Sequence, residues 1–266
     1  WEPRAACRRP VACDRSNSIM SRLILLTNSW SGHPAADGWN GPVPIPITTA
    51  REESPPMTLR CRAARHDDIN AMALIAAHGF EEYPLHGMMR PFMKPGASYF
   101  DFLVDLNTTM VRAYLRWRNA LVVEEDGEAV AIALLNRVPV GLAGYIANGG
   151  LSMLRSASLA SLLRFFAMTE EADRGAKENA DYDWYLEILA VAPGKRGHGI
   201  GSWVMRDVLP AYVRRRGGHR IAFITCTEDN VRFYRNSGCR VVNEDQVSLG
   251  GRTCPVWAFE KVAHAD

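Results

Sequence analysis

The most constraining feature of this chain is a glycine-rich turn at residues 186–205, which read LEILAVAPGKRGHGIGSWVM. The apolar run before the turn predicts a strand at 181–191, and the pattern after it predicts a helix at 199–216. Glycines let the backbone approach an anion without a clash from Cβ, and a helix N-terminus favours negative charge. The segment therefore indicates a strand–loop–helix unit that holds phosphate, with a tight turn that binds nothing as the alternative.

Spacing distinguishes three kinds of phosphate-binding loop. The dinucleotide fingerprint needs Gly or Ala where Ser202 stands, and a Walker A loop needs Lys and then Ser or Thr where Ile200 and Gly201 stand. A nucleotide- or dinucleotide-binding enzyme is therefore the least favoured interpretation. The remaining pattern, R/Q-x-x-G-x-G/A, is matched by Arg196–Gly201. Its arginine adds positive charge beside the backbone N–H groups, which favours a diphosphate.

The chain has 266 residues, of which 47% are hydrophobic and 23% charged, and a formal net charge of +2. This composition is typical of a globular protein with a sizeable core, and the small charge disfavours nucleic acid as a partner. The six cysteines form no CxxC pair and no zinc spacing, so we predict no metal, reduced thiols and a cytoplasmic location. No apolar run has the length of a membrane span, so no membrane partner is predicted.

Composition divides the chain into two regions. Residues 1–56 are rich in Pro, Gly, Ser and Arg without a sustained period, so we predict a disordered or non-native leader, with Met57 as the hypothetical start of the protein. Residues 57–266 predict one mixed α/β domain, with a central sheet covered by helices on both faces. The predicted elements are strands at 58–64, 181–191 and 219–227, helices at 66–80, 98–119, 199–216 (kinked at Pro210) and 228–238, a hairpin at 120–138, a helical insertion at 141–181 and two final strands.

Two motifs in the second region resemble those of one superfamily. Residues 191–201 (VAPGKRGHGIG) align without a gap with V-x-P-x-x-R/Q-G-x-G-x-G, the loop pattern of the GNAT superfamily of acyl-CoA N-acyltransferases. Residues 230–242 (NVRFYRNSGCRVV) resemble its second motif, although Cys239 replaces the usual Phe, and residues 58–75 resemble its opening strand and helix. The chain therefore resembles this superfamily over about residues 57–262, and more loosely its branch of puromycin-type acetyltransferases.

The resemblance implies a single GNAT-type domain, in which a mostly antiparallel twisted sheet of about six or seven strands contains a splayed strand pair that takes coenzyme A. The splayed pair corresponds to 185–191 and 219–226, and the pantetheine arm would lie between them like an added strand. The N–H of Leu189 would reach the thioester oxygen. Asn230 would bond the arm or nearby backbone, unless it is a helix cap. The implied coenzyme A contacts are Leu189, Ala190 and Val191 for the arm, and Arg196, Gly197, His198, Gly199, Ile200, Gly201 and Ser202 for the diphosphate.

The resemblance also implies attack of an amine on a thioester, which requires proton transfer. Removing a proton from an alkylammonium of pKa ~10 at pH 7 costs roughly 4 kcal/mol, so a base helps. Strand alternation places Glu187 on one face with Leu189 and Val191, where a carboxylate needs water, substrate or a partner. Glu187 is the candidate base, or else the salt-bridge partner of an arginine. Tyr234 matches the general acid of the family, or else packs as an aromatic on its helix.

We therefore predict an N-acetyltransferase that transfers acetyl from acetyl-CoA, its cosubstrate, to a primary amine in a ternary complex, without a metal or a covalent enzyme intermediate. The acceptor is a small molecule or a peptide that the sequence does not specify, and a homodimer is left open. A catalytically silent acyl-CoA-binding module, acting as a sensor or as support for a partner, is the alternative. The presence of both Glu187 and Tyr234 favours the enzyme.

Overall fold

The computed structural model describes residues 43–44, 59–138 and 140–263. The strands are β1 Val43–Pro44, β2 Leu59–Ala63, β3 Ala120–Glu125, β4 Glu128–Asn136, β5 Trp184–Val191, β6 Arg220–Thr225, β7 Arg240–Leu249 and β8 Arg252–Val262. The α-helices are α1 Ile69–Phe80, α2 Pro84–Gly87, α3 Tyr99–Arg116, α4 Leu142–Ala147, α5 Leu159–Asn179, α6 Ile200–Trp203, α7 Leu209–Arg215 and α8 Glu228–Asn236. The remaining described helices are 3-10 helices at His66–Asp68, Arg90–Phe92, Gly150–Arg155 and Pro193–Lys195, and a π-helical segment at Val204–Val208.

The described strands belong to one sheet with the order β1–β2–β3–β4–β5–β6–β8–β7. Every neighbouring pair is antiparallel except β5 and β6, which are parallel. Seven of these strands have five residues or more. The predicted α/β class and the mostly antiparallel central sheet are therefore confirmed.

Helices cover both faces of the sheet because its central strands are apolar on both sides. In β4, Ile132 and Leu134 pack on one face, against α1, α3 and α5, which we call the α3 face. Ala133 and Leu135 pack on the other, against α6, α7 and α8, which we call the α8 face. A strand buried on both faces reads as a near-continuous apolar run, as β4 does. The prediction of helices on both faces is confirmed.

The predicted leader at 1–56 is described only at Val43–Pro44, where it adds a two-residue strand to the edge of the sheet. Val43 pairs with Cys61 and Pro44 with Arg60 of β2. The rest of the leader lies outside the described residues, so its disorder stays a prediction. The insertion at 141–181 contains α4, a 3-10 helix and α5.

The parallel strands β5 and β6 separate soon after they begin. Trp184 pairs with Ile221 and Tyr185 with Ala222, and their pairing ends there. On its other side β5 stays paired with β4 as far as Val191. The later part of β5 therefore has an open edge toward β6, which confirms the predicted splayed strand pair.

A β-bulge interrupts β5 at Glu187. Leu134 of β4 pairs with Ile188, whereas the next residue, Leu135, pairs with Leu186. Glu187 is therefore the extra residue that has no partner in the register. A bulge of this kind bends the strand and re-aims a side chain.

The bulge corrects the predicted strand alternation. Ile188 and Ala190 pack on the α3 face, and Leu189 and Val191 pack on the α8 face. Glu187 itself points to the α3 face, where it meets α3. The prediction that Leu189 and Val191 share a face with Glu187 is wrong, because one extra residue shifts a strict two-residue alternation.

The helix predicted at 199–216 contains a π-helical segment, at Val204–Val208. The N–H of Leu209 donates to the carbonyl of Val204, five residues earlier. Pro210 follows and has no N–H to donate. The wider π turn accommodates the proline at the place where the sequence predicts a kink.

Candidate active site

Among the described residues, the glycine turn leaves a row of backbone N–H groups without protein partners. Gly197 and Gly199 have φ angles of 80° and 79°, which residues with a Cβ rarely adopt. The first hydrogen bond of the following helix runs from the Trp203 N–H to the Gly199 carbonyl, at 2.9 Å. In the described part of the chain, the N–H groups from Gly197 to Ser202 donate to no protein acceptor. Such a row at a helix N-terminus suits an anion.

Two cations anchor the turn to its surroundings. Arg196 donates through Nε to the carbonyl of Val191 at 3.2 Å and through Nη2 to the carbonyl of His78 at 3.4 Å. Lys195, the preceding residue, is paired with the buried carboxylate of Glu125. Arg196 therefore ties the turn to β5 and α1, and Lys195 ties it to β3.

The remaining predicted loop residues divide into packed and exposed ones. Ile200 is buried on the α8 face, and Gly201 lies so close to Phe233 of α8 that a Cβ there would be 3.3 Å from the ring. Ser202 is half-buried and His198 is exposed. Ile200 and Gly201 therefore position the turn by packing, and the imidazole of His198 is at the surface.

The open edge of β5 presents the backbone groups of alternate residues. The Ala192 N–H donates to the Val130 carbonyl at 2.9 Å, and the register gives Ala190 the same orientation toward β4. Successive residues of a strand turn their backbone groups to opposite sides, so Leu189 and Val191 direct theirs toward β6. The Leu189 N–H is therefore free at the gap within the described chain, whereas the backbone of Ala190 is committed to β4.

Glu187 is half-buried at the bulge, with its carboxyl group against α3. The Tyr114 hydroxyl donates to Glu187 Oε2 at 3.1 Å, and Asn136 Nδ2 donates to the same tyrosine oxygen. Burial and then the negative charge of Asp173 raise the pKa of Glu187 to about 7, against the opposing effects of Tyr114 and Lys177. The arginine ion pairs found among the described residues do not include Glu187. The salt-bridge alternative for Glu187 is therefore not observed there.

A second carboxyl group, that of Asp173 in α5, lies near Glu187. Its Oδ1 accepts from the Tyr185 hydroxyl at 2.6 Å, and its Oδ2 is 3.3 Å from Lys177 Nζ. Burial raises the pKa of Asp173, although the charge of Lys177 opposes this. Burial and the charges of Glu187 and Asp173 also raise the pKa of Tyr145 in α4. The helical insertion thus brings titratable groups to the candidate base.

Asn230 lies in the first turn of α8 and bonds the end of β6. The helix cap is Thr227, whose hydroxyl accepts from the Asn230 N–H at 3.3 Å. The Asn230 side chain donates through Nδ2 to Thr225 Oγ1 at 3.0 Å, and the Tyr83 hydroxyl is 3.4 Å from the same oxygen. The helix-cap alternative for the Asn230 side chain is therefore wrong, because Thr227 has that role.

Tyr234, one turn further along α8, is 8% exposed and packs among aromatic rings. Its ring centroid lies 4.5 Å from that of Phe223, 4.9 Å from that of Phe233 and 5.6 Å from that of Phe259. Burial raises the pKa of Tyr234 above its ordinary value, and its hydroxyl has no hydrogen-bond partner among the described residues. The ring therefore packs as the alternative predicts, and the hydroxyl is free to donate.

Three features of the site follow one another along the chain: the open edge of β5, the glycine turn and the start of α8. A family model described as the acetyltransferase (GNAT) family matches residues 96–239, which are more than half of the chain. The chain belongs to the acetyltransferase (GNAT) family. The predicted GNAT membership is therefore confirmed, and the narrower puromycin-type resemblance stays a prediction. Among proteins of curated function, none matches this chain by sequence.

Several solved structures resemble this GNAT chain at low sequence identity. A variant of agmatine N-acetyltransferase in its apo form is 16% identical with a TM-score of 0.52, over 77% of this chain and 99% of that one. Mosquito arylalkylamine N-acetyltransferase like 5b is 15% identical with a TM-score of 0.52, over 77% and 100%. The C-terminal condensation domain of Ebony, solved with beta-alanyl-dopamine, is 12% identical with a TM-score of 0.56, over 77% and 99%. At these identities the likeness shows the GNAT fold alone.

The GNAT fold places the two predicted catalytic residues on opposite faces of the sheet. Glu187 faces α3, and Tyr234 belongs to the core of the α8 face. Both strands that border the gap, β5 and β6, lie between these faces. A substrate that reaches both residues would therefore have to pass through the gap.

Three groups near Glu187 were not predicted from the GNAT sequence: Tyr114, Asn136 and Asp173. A weak signal exists for Asp173, because it stands at helical spacing from Glu170 and Lys177, although the second half of α5 carries several other charged residues. No comparable signal marks Tyr114 or Asn136. Tyr114 stands among apolar and basic residues of α3, and Asn136 ends the apolar run of β4. Neither pattern distinguishes a site residue from a buried one.

The described residues contain neither a membrane-spanning helix nor a cluster of metal ligands. No described helix is both long and apolar enough to span a bilayer. Residues 59–138 and 140–263 contain no group of three or more His, Cys, Asp or Glu side chains that would hold a metal ion. The four cysteines that the structure describes are free and buried.

Proposed function

We propose that this protein is an N-acetyltransferase that transfers the acetyl group of acetyl-CoA to a primary amine. The observation that carries the proposal is the continuity of three features along one stretch of chain: a titratable carboxyl group at the bulge, an open strand edge and a turn with free N–H groups. The family supports acetyl transfer. In the proposed reaction the amine attacks the thioester directly, in a ternary complex.

Coenzyme A is held mainly by backbone groups. The N–H groups from Gly197 to Ser202 take the diphosphate, and the pantetheine arm adds to the open edge of β5 at Leu189 and Val191. The Leu189 N–H donates to the thioester oxygen, and such a donor typically stabilises the oxyanion of the transition state by about 3–4 kcal/mol. Ala190 contributes only by keeping the strand in place, because its backbone groups bond β4.

Glu187 is the proposed base, and its pKa suits the reaction. Proton transfer from an alkylammonium of pKa ~10 costs roughly 8 kcal/mol to an ordinary glutamate. Transfer to a carboxylate with a pKa of about 7 costs roughly 4 kcal/mol. The raised pKa therefore removes about half of this barrier while about half of the molecules remain ionised at pH 7. A bridging water carries the proton if amine and carboxylate are not in contact.

Tyr234 assists departure of the coenzyme A thiolate. Because burial raises its pKa, the hydroxyl stays protonated at neutral pH. A thiol of pKa ~8.5 is a stronger acid than this tyrosine, so complete proton transfer to the sulfur is unfavourable. Tyr234 therefore stabilises the leaving thiolate chiefly by a charge-assisted hydrogen bond.

The test is an acetyl-transfer assay with acetyl-CoA over a panel of primary amines. Glu187→Gln is expected to lower kcat by roughly 100-fold or more, and Tyr234→Phe by roughly 10-fold. Calorimetry is expected to show coenzyme A affinity within about twofold of wild type for both, because neither side chain holds the diphosphate. Glu178→Gln on the exposed surface of α5 and Tyr99→Phe at the start of α3 are matched controls with full activity.

Two outcomes would contradict this scheme in different ways. Unchanged kcat in both Glu187→Gln and Tyr234→Phe would show that the assigned roles are wrong. Tight coenzyme A binding without turnover on any amine would support the silent acyl-CoA-binding module instead.

A further inference from the structure

A buried series of hydrogen bonds reaches Glu187 from the α3 face. Tyr114 of α3 is 1% exposed, and Asn136, the last residue of β4, is 4% exposed. Asn136 Nδ2 donates to the Tyr114 oxygen, and the Tyr114 O–H donates to Glu187 Oε2 at 3.1 Å. Three elements, α3, β4 and β5, therefore converge on one carboxylate oxygen.

The chemistry of the groups sets the direction of these bonds. A tyrosine hydroxyl has one proton, and the NH2 of an amide only donates. Because the Tyr114 oxygen accepts from Asn136, its single proton is directed to Glu187. Oε2 of Glu187 therefore accepts a hydrogen bond from Tyr114, whereas Oε1 has no hydrogen-bond partner among the described residues.

Other charged groups nearby act on Glu187 from a distance and do not bond it. The carboxylates of α5 oppose its ionisation, and the lysine of α5 favours it. The Tyr185 hydroxyl donates to Asp173 and not to Glu187. The titratable groups that face Glu187 are Tyr114 from α3, Tyr145 from α4, Glu170, Asp173 and Lys177 from α5, and Tyr185 from β5.

We propose that Tyr114, oriented by Asn136, is a positioning residue for Glu187: it holds Oε2 so that Oε1 takes the proton of the acceptor amine. The inference rests on the proposed function, because orientation matters only if Glu187 is the base. Without the hydroxyl the carboxyl group is free to rotate, and it loses a donor that favours its ionised form. The carboxyl group then stays protonated to a higher pH.

The first test is the pH dependence of kcat/KM for Tyr114→Phe. Loss of the Tyr114 hydroxyl is expected to raise the pKa that governs the acidic side of the kcat/KM profile by roughly one pH unit. At pH 7, kcat/KM is then expected to fall about fivefold relative to wild type. Above pH 9 the ratio of variant to wild type is expected to return toward one, which a general loss of structure would not produce. Tyr99→Phe, the same change in the same helix with its ring beside Arg90, is expected to leave the acidic side of the profile in place. Asn136→Leu disturbs the same contact without a change in α3, and is expected to give a smaller shift in the same direction.

The second test measures the carboxyl group without turnover. In protein with 13C-labelled glutamate carboxyls, the signal that disappears in Glu187→Gln reports the titration of Glu187. A higher midpoint in Tyr114→Phe, with no change in Tyr99→Phe, supports positioning. An unchanged midpoint in both Tyr114→Phe and Asn136→Leu overturns it, even in an active enzyme. Absence of turnover on every amine, with the shift still present, overturns the proposed function and confines Tyr114 to a structural role.

Discussion

Ionisation of Glu187 supplies the base of the proposed reaction but lowers the stability of the folded protein. Burial and the charge of Asp173 raise its pKa from the model-peptide value of 4.5 to about 7. The folded protein therefore binds this proton more tightly than the unfolded chain does. The resulting stabilisation is complete below pH 4.5 and is lost as the pH rises through 7. The ionised base that the reaction uses is thus an unfavourable charge in the folded protein.

Removal of this charge is expected to stabilise the protein at alkaline pH. At pH 8, Glu187→Gln is expected to raise the free energy of unfolding by up to roughly 3 kcal/mol, and by less where water reaches the half-buried group. Near pH 4 the gain is expected to vanish, because the carboxyl group is then protonated in both states. Urea unfolding at the two pH values measures the difference, with Glu178→Gln as the exposed control. An equal effect at both pH values would show that the pKa of Glu187 is not raised.

Among the elements, the glycine turn depends most on residue type. Gly197 and Gly199 need positive φ, whereas Gly194 in the same turn does not. A Cβ on Gly199 would meet no atom within 4 Å. Strain after substitution would therefore come from the backbone angle alone, and relief of that strain would move the N–H groups.

Substitution of Gly199 tests whether the turn binds the diphosphate. Gly199→Ala is expected to destabilise the fold by about 1–2 kcal/mol and to weaken coenzyme A binding roughly tenfold as the N–H groups move. Gly194→Ala adds the same methyl group without a positive φ or a neighbour, and is expected to change neither quantity. Calorimetry with coenzyme A and urea unfolding measure the two effects. Full affinity in a folded Gly199→Ala protein would contradict the assignment of the turn.

Elements differ in how far the sequence predicts them. The order of strand, turn and helix at 186–205 is local, because apolar residues and glycines act on their own backbone. The bulge at Glu187 is not local, since it depends on how Leu134 and Leu135 of β4 pair with β5. The alternation of residues in the sequence of β5 does not indicate how β5 pairs with β4. The predicted faces of Leu189 and Val191 were therefore wrong although the strand itself was predicted.

At the scale of the whole molecule, we expect the described site to depend little on the leader. The candidate loop, base and acid residues lie between Glu187 and Tyr234, and β1 adds only two residues at the far edge of the sheet. A chain that begins at Met57 is therefore expected to bind coenzyme A as tightly as the full chain. Its midpoint of thermal unfolding is expected to fall by a few degrees at most, because loss of one short strand lowers the free energy of unfolding by about 1 kcal/mol or less. Loss of soluble protein or of affinity would show that the leader is structural.

The sequence by itself determined the family, the order of the elements and the position of the glycine turn. These follow from residue type and short spacing, because positive φ and apolar periodicity are requirements of the local backbone. Only the tertiary structure decided what surrounds Glu187. Tyr114 is 73 residues away along the chain, and Asp173 comes from the helical insertion, where the sequence predicted no site residue. Their approach depends on how α3 and α5 pack on the sheet and on a bulge set by β4, and no local pattern specifies either.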